Sequence, residues 1–166
     1  VNEPKSSLKN RGNVLLLKLA IVFIGMIILS LCVFWLPWQS NVLAEMYPEY
    51  TYLRLPLLTG IYMTTIPFFI ALYQGFKLLT SINHHRAFST RSVNSLRTIK
   101  HCALGIGGLY VIGFVLLITQ DAGNPGILLI GLLVMFFSVV IAVFAAILQQ
   151  LLKSAIDLKS ENELTI

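Results

Sequence analysis

The stretch Lys77–His101, KLLTSINHHRAFSTRSVNSLRTIKH, separates two pairs of long apolar segments and decides how the chain is laid out. Lys77, Arg86, Arg91, Arg97 and Lys100 are five of the twelve Lys and Arg residues in the 166-residue chain, and no acid accompanies them. Working outward, Leu55–Phe76 and then Leu19–Trp38 lie on the N-terminal side, and Cys102–Gln120 and Gly126–Leu148 on the C-terminal side. None of the four contains a charged residue. A helix rising ~1.5 Å per residue crosses the ~30 Å hydrocarbon core of a bilayer in ~20 residues, so each is long enough to span it.

Composition agrees with this reading. The chain is 57% hydrophobic and 11% charged with a mean hydropathy of +0.82, which excludes an ordinary water-soluble domain. The expected fold is all-α: a polytopic integral membrane protein built as a bundle of four transmembrane helices. With their flanks the spans run about 15–38, 55–79, 99–120 and 125–152, preceded by a polar, weakly ordered tail over 1–13. The last helix is expected to continue to about Lys159, leaving 160–166 as a second tail. No repeat or linker divides the four-helix domain of residues 14–159.

Placing the charges orients the chain. Lys5, Lys9, Arg11 and Lys18 precede the first span, whereas the connector Gln39–Arg54 has one base and Asp121–Pro125 has none. The positive-inside rule therefore puts both termini and the central connector in the cytoplasm. The net charge of +5 reads as topology and contact with the lipid bilayer, so no direct nucleic-acid binding is expected. The first span is too long for a signal-peptide core, and no small-residue cleavage site follows it. Cys32 and Cys102 lie near opposite membrane faces, so a disulfide between them is not expected.

Trp35, Trp38, Tyr47, Tyr50 and Tyr52 fit an aromatic belt at the outer interface. Pro67, in the middle of the second span, is expected to kink it and to free a carbonyl near Met63. Ser89 and Asn124 are expected N-caps, the latter followed by a first-turn proline. Small residues four apart allow close approach of helices in lipid. Ala71 and Gly75, Ala103 and Gly107, and Ser138, Ala142 and Ala146 form such sets, so spans two, three and four should pack tightest beneath the basic connector.

Chemistry is sparse. No ionisable side chain other than tyrosine or cysteine lies inside a span, which argues against a proton-coupled pump. Thr59, Tyr62, Thr64, Thr65, Gln74, Tyr110, Ser138 and Gln149 are polar, and because hydroxyls can bond their own helix backbone a structural role is expected rather than a substrate path. His84, His85, His101 and Cys102 match no established zinc spacing, so no metal site is assigned. GIGG at Gly105–Gly108 sits inside a span and is no phosphate loop. No nucleophile–base or paired-carboxylate arrangement supports catalysis; no catalytic residue and no cofactor are expected.

FWLPW at Phe34–Trp38, AEMYPEY at Ala44–Tyr50, IPFFIALYQGFKLL at Ile66–Leu79 and AFSTRSVNSLRTIKHC at Ala87–Cys102 together resemble a known family. The likeness continues through NPGILLIGLL at Asn124–Leu133, VIAVFAAILQQLL at Val140–Leu152 and AIDLKSENELTI at Ala155–Ile166. It is to the YoaS-like membrane proteins of the bacterial domain-of-unknown-function family 2975. That resemblance implies a multi-pass protein of the bacterial cytoplasmic membrane with no activity to carry over, whose relatives are often encoded beside a small helix-turn-helix regulator. The leading expectation is a non-enzymatic protein acting through contacts, with that cytoplasmic regulator as partner. The candidate surface is Arg86, Phe88, Ser89, Arg91, Arg97 and Lys100, with Lys153–Ile166 beside it. The alternative is a small transporter, channel or membrane-stress protein, motivated by Pro67 and the hydroxyls, and a homo-oligomer is a further expectation.

Overall fold

The computed structural model describes residues 3–83 and 88–165, and all of its regular structure is helical. Helix α1 (Glu3–Ser30) runs through a π-helical turn (Leu31–Trp35) into α2 (Leu36–Met46). A 3-10 turn (Pro48–Leu53) then leads to α3 (Arg54–Asn83), followed by α4 (Thr90–Thr119) and α5 (Pro125–Leu164). Four helical stretches are long and apolar enough to cross a membrane: α1 with α2, α3, α4 and α5.

Three boundaries differ from those read in the sequence. Residues 3–13 continue α1 instead of forming a weakly ordered tail. The first span was expected to end at Trp38, yet helix persists to Met46, with Pro37 inside it. Proline has no N–H, and its ring collides with the carbonyl four residues back in a regular α-helix. The π turn directly before it absorbs the conflict, with the Leu36 N–H donating to Leu31 O, one residue beyond the usual partner. Ser40 Oγ then donates to Pro37 O at 2.8 Å. At the other end α5 stays helical five residues past Lys159, to Leu164. Pro67 lies inside α3, which is α-helical on both sides of it.

The helices lie side by side in chain order: α1 against α3, α3 against α4, and α4 against α5. The α1–α3 seam is antiparallel and keeps one register along its length. Lys18 reaches over the Phe76 ring, Ile21 faces Gly75, Gly25 faces Leu72 and Phe69, and Cys32 meets Thr65. Gly75 thus offers its bare backbone to α1, where an added Cβ would lie 3.8 Å from Ile21 Cδ1. Along α4 and α5, Ala103, Ser138, Ala142 and Ala145 are buried, and a Cβ on Gly107 would sit 3.6 Å from Ser138 Cβ. Gly131 is tighter still, with the Phe114 ring 3.3 Å from where its Cβ would be. Large apolar side chains such as Phe23, Ile112 and Phe144 point outward, as expected of surfaces solvated by lipid.

At the end opposite the basic connector, two tyrosines fasten the 3-10 turn to the short α4–α5 loop. Tyr50 OH donates to Asp121 O at 3.1 Å, and Tyr52 OH donates to Gln120 Oε1 at 2.8 Å. Asp121 adopts φ 50°, a left-handed conformation that Asp tolerates, and Asn124 Oδ1 then accepts from Gly126 N at 2.9 Å to begin α5.

Ala142 is 5% exposed, and a larger side chain there must push α4 away. Ala142→Leu is expected to destabilise the protein by about 1–3 kcal/mol through overpacking. Val143→Leu, on the exposed neighbour, is expected to change little. Thermal unfolding in detergent compares them; equal shifts would show that this seam is not tightly packed.

Candidate functional site

The candidate surface is built on the first turns of α4. Ser89, extended at φ −129° and ψ 155°, caps the helix, and its Oγ accepts from Ser92 N at 3.4 Å. Its carbonyl accepts from Ser92 N and Val93 N as well, which satisfies donors that a helix start leaves free. From there the helix has two different faces. Ser92, Val93, Ser95 and Leu96 are buried at helical spacing, and Ser92, 1% exposed, is the most enclosed side chain among the described residues. Arg91, Asn94, Arg97 and His101 occupy the opposite face and are exposed.

Small hydroxyls allow that close burial. Ser92 Oγ lies 3.3 Å from Ser89 Oγ, so the cap and the buried serine satisfy one another. On the exposed stripe, His101 Nδ1 donates to Arg97 O at 2.9 Å, which leaves Nε2 facing outward. The stripe therefore combines the Arg91 and Arg97 donors with the mixed donors and acceptors of Asn94 and His101, on a helix held firmly from behind.

Phe88 precedes the cap and is exposed. Beside it α5 contributes Ala155, Leu158, Lys159, Asn162 and Glu163, which together form a shallow groove. Leu158 is exposed as well. Of the residues expected on this surface, Phe88, Arg91 and Arg97 are exposed, Ser89 and Lys100 are half-buried, and Arg86 lies outside the described residues, as do His84 and His85. No group of three metal-ligating side chains comes together among the described residues.

A family model described as "Protein of unknown function (DUF2975)" matches residues 38–166. The chain belongs to this family. Over 159 residues it is 48% identical to "Uncharacterized membrane protein YoaS" of Bacillus subtilis (strain 168), covering 95% of this chain and 99% of that one. No solved structure matches. This DUF2975 chain is thus a membrane protein of a family without a described function. The family match begins at Trp38, so it spans α3, α4, α5 and nearly all of α2, while α1 precedes it.

Within this DUF2975 chain, the polar side chains of the spans are largely used in holding helices. Thr59 Oγ1 donates to Leu55 O, and Thr64 and Thr65 both donate to Ile61 O. Tyr62 OH donates across the α1–α3 seam to Cys32 O at 2.9 Å. Among the packing residues, Ala103, Ser138 and Ala142 are buried, whereas Ala71, Gly75, Gly107 and Ala146 are half-buried. Sequence reasoning missed Gly131 and Gly25, because their ring and leucine partners sit at no characteristic spacing. It also missed the groove beside Phe88, whose two walls are separated by more than sixty residues of chain.

Replacing the cap tests whether the surface is preorganised. Ser89→Ala is expected to loosen the first turn of α4 by about 1 kcal/mol, speeding amide exchange at Ser92 and Val93 about fivefold. Unchanged exchange there would show that the cap does not hold the surface.

Proposed function

We propose that this protein is a non-enzymatic membrane protein of the bacterial cytoplasmic membrane that acts through protein contacts, tethering a small helix-turn-helix regulator at its basic end. In this reading both termini and the Lys77–His101 connector face the cytoplasm, in keeping with the excess of base there.

The observation that carries the reading is the two-faced start of α4. Its buried side fixes the helix, and its exposed side presents Arg91 and Arg97 next to Phe88 and the protruding end of α5. The 40 residues of α5 extend ~60 Å, about twice the hydrocarbon thickness, so the helix reaches well past the lipid. A rigid, basic and partly apolar platform in water suits a protein partner better than a solute. The protein reads as a tether because its spans offer no ionisable relay, and the hydroxyls of Thr59, Thr64 and Thr65 bond their own helix backbone. The same hydrogen bonds weigh against the transporter or channel alternative.

Purification of the full chain in mild detergent from its native host is expected to bring down a DNA-binding protein. Arg91→Glu with Arg97→Glu, or removal of residues 154–166, is expected to reduce that recovery at least tenfold. Recovery of no such protein, or recovery unaffected by both changes, would overturn the proposal.

A further inference from the structure

Helix α5 stands at the end of the helical row, packed on α4 through Ser138, Ala142 and Ala145. About a third of a turn round from that seam, Leu148, Leu151, Ala155, Leu158 and Asn162 follow one another at alternating steps of three and four. The same rhythm runs back through Phe144 and Ile141 to Phe137. From Phe137 to Leu158 the six large side chains of this band are all exposed, and Asn162 is exposed beyond them.

Within hydrocarbon such a face needs no partner, because lipid solvates it as well as leucine would. Beyond the lipid the requirement changes. Gln149, Gln150 and Lys153 mark the exit of α5, yet the band goes on through Leu151, 63% exposed, and Leu158, 62% exposed. Lys153, Asp157, Lys159, Glu161 and Glu163, the charged residues of these protruding turns, all fall outside it. An apolar face carried from lipid into water and kept free of charge is suited to another helix.

That helix is identified by symmetry, residue choice, charge and area. Copies inserted with one topology carry their α5 helices parallel, so a two-fold axis along the membrane normal sets each residue of the band opposite its own counterpart. Leu151 and Leu158 then occupy the core positions where leucine favours two strands. Asn162 falls on the other core position, one heptad after Ala155, where paired asparagines fix register and strand number. Lys159, flanking the core, lies across from Ser154 of the second copy, so no like charges oppose there. The six exposed large side chains bury on the order of 1,200 Å² between two copies, the lower end of stable interfaces. We infer that the chain pairs with a second copy of itself through the Phe137–Asn162 band of α5, continued past the membrane as a short, parallel, two-stranded coiled coil. Pairing takes up the α5 wall of the groove beside Phe88, whereas Arg91 and Arg97 belong to α4. The inference stands independently of the regulator reading.

Disulfide cross-linking of the full chain in isolated membranes tests this, using copper phenanthroline as oxidant and variants with Cys32 and Cys102 replaced by serine. Leu158→Cys and Asn162→Cys are expected to give a linked species of twice the chain mass, at least tenfold more than Lys153→Cys and Ser160→Cys on the outer face of the same turns. Light scattering in mild detergent is expected to find two copies per particle for wild type and one for Leu151→Lys with Leu158→Lys. Leu164→Lys, exposed but off the band, should leave two. Equal cross-linking at all four positions, a linked species of any other mass, a wild type with one copy per particle, or equal loss of pairing in Leu164→Lys would overturn the inference.

Discussion

In hydrocarbon there is no hydrophobic force drawing one helix to another, so every contact in this structure depends on backbones coming close enough for dispersion and hydrogen bonding. The α4–α5 seam shows how that is achieved. Ala103, Gly107, Ser138, Ala142 and Ala145 present so little side chain that the two helices touch along their length. Where the gap would widen, the Phe114 ring fills it against Gly131. The large apolar side chains are turned outward, an inversion of the soluble-protein pattern that follows from lipid being as apolar as leucine.

Close packing at that seam also sets up the basic end. Once α4 is fixed against its neighbours, its first turns carry Ser92, Val93, Ser95 and Leu96 inward and Arg91 and Arg97 outward. The same helix therefore supplies both anchorage and display. At the far end the requirement is different: Tyr50 and Tyr52 reach Asp121 and Gln120 to fasten connectors that have little packing of their own. Tyrosines that also suit an interfacial belt thus act as cross-links between the first and second halves of the chain.

Much of this was legible in the residues, and the reasons for the rest are physical. The four spans follow from length and hydropathy, and the caps at Ser89 and Asn124 follow from side chains that accept from a free N–H. The continuation of the helix beyond Trp38, past Pro37, was not legible. Proline normally marks a boundary, and the π turn that accommodates it has no signature in LCVFW. Small-residue spacing at Ala71 and Gly75 was read as packing span two against spans three and four, whereas Gly75 turns to Ile21 of α1. Pairings such as Tyr52 with Gln120, or Phe88 with the end of α5, depend on how the helices are arranged and are written in no local stretch.

The central claim is that the basic end of this helical row is the cytoplasmic platform of the protein. It is tested most directly by labelling intact cells with a membrane-impermeant maleimide, using single-cysteine variants in which Cys32 and Cys102 are replaced by serine. Tyr47→Cys is predicted to label in intact cells, and Arg97→Cys only after the membrane is permeabilised. Labelling of Arg97→Cys in intact cells, with Tyr47→Cys protected, would invert the topology and contradict the account.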